Sequence, residues 1–218
     1  MRESYSQDGE DLISQRILDA NRGMYLDIGS GHPVFHSNTY LFYLLGWSGI
    51  AVDPNPTLTE IWVKKRARDT FINSAFYPFK NQVDYFMHPD IPELNSTTKP
   101  PLFSAGCETN KKAINVVKVP TVSAEEIASI SKKFDLLNID TEGMEYDIIK
   151  SLFEFNIEFD LAIIESNGIN LTENLGELPI VQLCSENGMK PICKTLHNIF
   201  FINVENPFAH SLPSQMLT

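Results

Sequence analysis

Four acidic residues, Asp27, Asp53, Asp140 and Glu165, each stand at the end of a short apolar run. Runs of this length read as strands, and in an open parallel sheet the strand ends share the edge at which ligands bind. Carboxylates gathered at such an edge repel one another and resist ionisation. Three kinds of chemistry account for them: a cationic ligand, a metal ion held through oxygens, or proton transfer.

The first acid lies in Tyr25-Leu-Asp-Ile-Gly-Ser-Gly31, which joins a hydrophobic strand to two closely spaced glycines. Glycine adopts positive φ cheaply and lets a ligand approach the backbone with no Cβ in the way. The second acid closes Gly49-Ile-Ala-Val-Asp53, where a carboxylate can accept hydrogen bonds from the hydroxyls of a ribose. A dinucleotide fingerprint would need a third glycine, but the run continues Gly31-His-Pro-Val34. Asp27 also places a charge where a pyrophosphate site needs none. S-adenosylmethionine, with a sulfonium, an ammonium and no pyrophosphate, fits better than NAD. The loop of Asp27, Gly29, Ser30 and Gly31 is expected to wrap its methionine part, with Asp27 near the ammonium and Asp53 on the ribose.

The elements that must position these residues alternate strand and helix. Gln7 to Leu18 has helical spacing, and Tyr25 to Ile28 is the first strand. The spacing predicts a helix over Ser37 to Leu45 with Tyr40, Leu41, Leu44 and Leu45 buried, then a strand over Ile50 to Val52 that Asp53-Pro-Asn-Pro56 breaks. A helix from Thr57 to Arg66 and a strand from Thr70 to Asn73 follow. Ser123 opens a capping box with Glu126. Phe134 to Asp140, a helix from Met144 to Phe153, and Phe159 to Glu165 repeat the alternation, which implies parallel pairing with right-handed crossovers. Met189 to Lys194 and Asn198 to Val204 read as a closing antiparallel pair. The expectation is one α/β domain over 1–218 with a mostly parallel central sheet and an antiparallel C-terminal strand. Residues 76–120 interrupt it with a hairpin, Val83 to Met87 and Ala113 to Pro120, around a proline-rich connection; a connection this long is usually functional or disordered. The insert is expected to shape the acceptor site.

The chain has 218 residues, 43% of them hydrophobic, and a formal net charge of −11. That charge argues against a nucleic-acid partner, which needs a basic surface over phosphates. The basic run Lys64-Lys-Arg-Ala-Arg68 is expected to be a solvated helix face or C-terminus. Cys107, Cys184 and Cys193 form no C-x-x-C pair, which fits reduced thiols. The N-terminal residues lack the apolar core of a signal peptide, and no apolar run has the length of a membrane span. A cytoplasmic location is expected.

Six segments together resemble the FkbM family of S-adenosylmethionine-dependent methyltransferases: Tyr5-Ser-Gln-Asp-Gly-Glu-Asp11, Leu26-Asp-Ile-Gly-Ser-Gly-His-Pro33, Ser37-Asn-Thr39, Gly46-Trp-Ser-Gly49, Val52-Asp-Pro-Asn55 and Asp135-Leu-Leu-Asn-Ile-Asp-Thr-Glu-Gly143. The resemblance implies a class I methyltransferase Rossmann-like fold and O-methylation of a hydroxyl on a sugar, glycan or natural product. It further implies that Gln7 to Asp11 fold over the cofactor pocket, that Asn55 lies against the adenosine, and that Asn73 and Ser74 reach the adenine. A bland alternative for Asp8, Glu10 and Asp11 is that they charge the first turn of a helix. One departure is Asn138, where the family often has Lys or Ser.

Methyl transfer to a hydroxyl is an in-line displacement helped by a positioned base. Asp140 is the leading candidate, with Glu142 and His36 behind it; Asp140 also borders the cofactor. His197 reads as a surface residue. Asp140 and Glu165 could hold Mg2+ through oxygens, although nothing in the sequence demands the ion. Two other functions stay open: a non-catalytic cofactor-binding module within a larger assembly, and N-methylation of a small molecule.

Overall fold

The computed structural model describes residues 3–18, 21–78, 81–88, 95–98, 114–166 and 175–206. In chain order they form α1 (Glu10–Leu18), β1 (Met24–Ile28), α2 (Tyr40–Leu44), β2 (Ser48–Val52), α3 (Thr59–Lys65), β3 (Thr70–Ile72), β4 (Ala75–Phe76), β5 (Gln82–Met87), β6 (Asn115–Val122) and α4 (Ala124–Ile130). There follow β7 (Lys133–Ile139), α5 (Glu145–Glu154), β8 (Glu158–Glu165), α6 (Pro179–Glu186), β9 (Met189–Lys194) and β10 (Asn198–Asn203).

Seven strands make the central sheet in the order β3-β2-β1-β7-β8-β10-β9. The first five are mutually parallel, whereas β10 runs antiparallel to both β8 and β9. This is the class I methyltransferase arrangement, a mostly parallel Rossmann-like sheet with one reversed strand near its C-terminal edge. The central strands are buried on both faces, as parallel strands sandwiched between helices must be. Leu26, Ile28, Leu137, Ile139, Ala162, Ile164 and Phe201 pack on one side. Tyr25, Leu136, Leu161, Ile163, Phe200 and Ile202 pack on the other. Among the described residues, no helix is long and apolar enough to cross a membrane.

The topology brings β2, β1, β7 and β8 side by side with parallel direction, so Asp53, Asp140 and Glu165 occupy one edge of the sheet, while Asp27 lies within β1 opposite Ala51 and Asn138. The expected hairpin is present: β5 and β6 pair antiparallel from Gln82↔Pro120 to Met87↔Asn115. β4, too short to stand out in the sequence, adds a parallel strand to β6. Of the connection between β5 and β6, residues 89–94 and 99–113 lie outside the described residues, Cys107 among them.

Three expectations need correction. α2 is only five residues long and buries Phe42, which packs against Trp47 at 4.8 Å between ring centroids. Leu44 and Leu45 are 52% and 41% exposed, because so short a helix turns a single side chain fully inward. α6 had no counterpart in the sequence reading. Arg66 is not solvated: it ends α3 and is 1% exposed. Its Nε donates to Asp69 Oδ2 at 2.6 Å, while its terminal nitrogens donate to the Pro33 carbonyl, the Tyr25 hydroxyl and Thr39 Oγ1. A buried charge survives because it pairs with Asp69 and each of its three nitrogens finds an acceptor.

Candidate active site

A cavity of about 610 Å3 opens at the acidic edge of the sheet. The glycine loop, Asp53 to Asn55, the tip of β7 and the tip of β8 line it, with Asn95, Ser96 and Thr97 of the insert.

The glycine loop is built by close approach. Gly29 has φ +74°, and a Cβ there would lie 1.6 Å from the carbonyl oxygen of Asp140. No other residue type fits. Gly31 has φ +53° and faces open space. Its N–H donates to Asp53 Oδ2 and the N–H of Asn55 donates to Asp53 Oδ1, both at 2.8 Å. Asp53 thereby ties the loop after β1 to the turn after β2. Burial pushes its carboxyl up to about 6, against the lowering effect of those two hydrogen bonds. Asn55 caps a short 3-10 turn, accepting from the Thr57 N–H and hydroxyl.

Asp27 takes a different position from its neighbours. It is 1% exposed and is not on the cavity wall. Thr39 Oγ1 donates to its Oδ2 at 2.5 Å and Asn138 Nδ2 to its Oδ1 at 2.9 Å. Asn38 Nδ2 in turn donates to Asn138 Oδ1 at 2.8 Å. Asn138 sits directly across from Asp27 in the β1/β7 pairing, so its amide serves as a cross-strand clamp. Burial raises the carboxyl of Asp27, and the Thr39 hydroxyl and the Arg66 charge oppose that rise.

At the other end of the cavity, Asp140, Glu142 and Glu165 bring carboxylate oxygens within 4.8 Å of one another. The sequence reading paired Asp140 with Glu165; Glu142 is the third member. Glu142 adopts φ +59° and its carbonyl accepts from the hydroxyls of Ser96 and Thr98, both at 3.0 Å. Glu145 holds the same turn, accepting from the Thr141 N–H, the Thr141 hydroxyl and the Gly143 N–H. Burial and then the charge of Glu165 raise the carboxyl of Asp140 well above the ordinary range. Burial, with Glu165 and Glu145 adding to it, lifts Glu142 to about 7.

Gln7, Ser30 and His36 also reach the cavity wall, whereas Asn73 and Ser74 do not. Asn73 Nδ2 donates instead to the carbonyls of Asp53 and Asn55, bracing the turn from behind. Ala75 and Phe76 occupy the wall beyond them. Sequence reasoning missed His32, Phe35 and Tyr85, which also line the cavity, and set aside His197, likewise on the wall, as a surface residue. Glu10 and Asp11 are fully buried, so they are more than charges on a helix turn. Asp11 accepts from Ser4, Tyr5 and Ser6, which folds the N-terminal segment back.

The residues present fit S-adenosylmethionine. Ser30 lies on the cavity wall, its buried hydroxyl has no hydrogen-bond partner within the protein, and beside it Gly31 has open space where a side chain would stand. Three clustered carboxylates likewise form an oxygen donor set of the kind hard divalent cations take.

Several solved structures are similar to the chain at low identity. One is the Burkholderia thailandensis 1,6-didemethyltoxoflavin-N1-methyltransferase with bound 1,6-didemethyltoxoflavin and S-adenosylhomocysteine (14% identity, 88% of this chain and 74% of that one, TM-score 0.43). Others are a TehB-like SAM-dependent methyltransferase from Corynebacterium glutamicum (12%, 87% and 86%, 0.44) and the Methanococcus jannaschii fibrillarin pre-rRNA processing protein (12%, 89% and 73%, 0.46). No curated protein matches the chain in sequence. The model of the methyltransferase FkbM domain matches residues 27–187, which contain the glycine loop, Asp53 and all three clustered acids. On that match, over well more than half its length, the chain belongs to the FkbM methyltransferase domain family.

Proposed function

We propose that this protein is an O-methyltransferase that uses S-adenosylmethionine to methylate a hydroxyl of a neutral, polyhydroxylated acceptor, a sugar, glycan or natural product. The observation that carries this reading is that the glycine loop and the Asp140–Glu142–Glu165 cluster face one cavity. S-adenosylmethionine supplies an electrophilic methyl group on a sulfonium.

The residues divide the work along the cavity. The N–H groups of Gly29 and Ser30 are spent on the Val52 carbonyl and that of Gly31 on Asp53, so the unpartnered Ser30 hydroxyl is the donor this loop offers to a carboxylate. Asp53 uses each oxygen once, and each retains capacity to accept from a ribose hydroxyl. Asn55 borders the same end, and Gln7 borders the cavity from the N-terminal segment. Asp27 acts from beneath, fixing the loop through Thr39 and Asn138. At the acceptor end Asp140 and Glu142 offer carboxyl oxygens that accept hydrogen bonds from acceptor hydroxyls and orient them. The rings of Phe35, Phe76 and Tyr85 offer apolar faces beside these acids. A carboxylate-lined pocket in a chain of net charge −11 repels phosphates, which disfavours a nucleic-acid acceptor.

The clustered carboxylates would also hold Mg2+, whose charge would lower the pKa of a bound diol. The test is transfer of labelled methyl to methyl glycosides, phenols, small amines and a short RNA, each with and without Mg2+. Label in the glycosides is the expected result. Label only in amines or RNA contradicts the acceptor class, and label in nothing favours a non-catalytic module.

A further inference from the structure

We propose that His197, oriented by Asp8, is the base that takes the acceptor's hydroxyl proton. The inference rests on the O-methyltransferase reading and adds a residue to it. Asp8 and His197 are 189 positions apart and both lie outside the family-matched segment. The fold brings them together: Nδ1 of His197 and Oδ2 of Asp8 are 2.9 Å apart. His197 lines the cavity that holds Glu142, Asp140 and Glu165.

Both partners are held in place by one buried carboxylate. Glu10, 0% exposed, accepts the Asp8 N–H on Oε2 at 2.9 Å. Its Oε1 accepts from the Thr195 hydroxyl at 2.7 Å and from Asn198 Nδ2 at 3.1 Å, and so grips the turn that carries His197. The His197 carbonyl accepts from the Ser166 N–H at 2.7 Å, which pins that turn to the tip of β8 next to Glu165. An ordinary surface ion pair has no need of such a frame. Of the cavity histidines, His32 spends Nδ1 accepting from the Val34 and Phe35 N–H groups. Of the three histidines on the cavity wall, His197 is the one hydrogen-bonded to a carboxylate.

With Nδ1–H donating to Asp8, the lone pair on Nε2 is free to accept a proton. The charged groups that share its surroundings are Asp8, Glu142, Glu165 and Asp140, and the His197 charge acts on Glu142. In the step assigned here the acceptor oxygen bonds to the methyl carbon as the carbon–sulfur bond breaks. The electrons of that bond remain on sulfur, and the hydroxyl proton passes to Nε2. Asp8 is a positioning residue that stabilises the imidazolium so formed.

Two measurements test this. Nitrogen-15 NMR of the histidine-labelled full chain, with and without S-adenosylhomocysteine, needs no acceptor: the neutral His197 ring is expected to carry its proton on Nδ1, and in Asp8→Asn on Nε2. A wild-type ring protonated on Nε2 overturns the proposal. In the second, His197→Gln, assayed with whichever methyl glycoside accepts label, is expected to lose on the order of 100-fold in both kcat and kcat/KM with KM little changed. Turnover within threefold of wild type overturns it equally. Failure of the wild type to bind S-adenosylhomocysteine would count against the cofactor site, a distinct result from either of these.

Discussion

Gly29 and Asp140 meet backbone to backbone: a Cβ on the glycine would stand 1.6 Å from the aspartate's carbonyl oxygen. Asp140 N–H donates to the Ile28 carbonyl at 2.9 Å, so the glycine loop after β1 and the turn after β7 are locked by the same short contact. The two ends of the proposed site cannot shift independently.

Gly29→Ala should therefore damage both. Positive φ alone costs a non-glycine residue about 1–2 kcal/mol, and the overlap with Asp140 adds to it. Thermal unfolding should show a clear drop in midpoint, with S-adenosylhomocysteine affinity reduced at least tenfold in whatever folds. Wild-type stability and affinity would mean that the loop does not press on β7.

Asp53→Ala and Asp140→Asn should separate binding from turnover. Removing the Asp53 carboxylate leaves two backbone N–H groups without acceptors, at about 1–3 kcal/mol, and should weaken the cofactor's affinity while the fold persists. Asp140→Asn should spare that affinity and suppress methyl transfer. Calorimetry on both variants decides; normal binding by Asp53→Ala removes it from the ribose, and unchanged turnover of Asp140→Asn removes it from the mechanism.

Arg66→Ala should be among the most destabilising single changes. It strands Asp69, whose side chain is as fully buried as the guanidinium it pairs with. Breaking one half of a buried pair costs about 3–5 kcal/mol. Arg66→Lys should rescue only part, since one ammonium cannot serve acceptors spread over Asp69, Pro33, Tyr25 and Thr39. Urea denaturation measures both, and a loss below about 1 kcal/mol for the alanine variant contradicts the role assigned.

Stability should fall as pH rises from the ordinary carboxyl range to about 7. Asp53 protonates at about 6 in the fold against 3.8 ordinarily, and Glu142 at about 7 against 4.5. Asp140 is raised as well. Between those values the folded chain holds more protons than the unfolded one, so the stability that protonation secures is whole below the ordinary values and lost as pH climbs through the raised ones. Urea midpoints at about pH 5.5 and about pH 8 should differ in that direction, and Glu142→Gln should narrow the gap. A wild-type midpoint that rises over this interval contradicts the acid cluster's burial.

Much of this was legible in the sequence, and for local reasons. β1, β2, β7 and β8 are apolar runs with acids at their ends, so both the strands and the acidic edge could be read directly. The capping box of Ser123 and Glu126 is likewise a local pattern, present as expected. What escaped depends on approach across the fold. Arg66 looks like one charge in a basic run until Asp69, Tyr25 and Thr39 close around it. His197 is exposed, as read, but its pairing with Asp8 from 189 residues away and its place on the cavity wall were not legible. Asp27 lies in the strand rather than past its tip, and the pleat sends its side chain to Thr39 and Asn138. Glu145 had a usable signal, an acid in the first turn of α5 placed to take up N–H groups of the preceding turn.

The most direct test of the central claim is calorimetric titration of the purified chain with S-adenosylhomocysteine, with NAD as the control ligand. The account predicts saturable binding of the first at a one-to-one ratio, weakened by Asp53→Ala, and none of the second. Binding of NAD, or of neither ligand, would contradict the assignment of this cavity to S-adenosylmethionine.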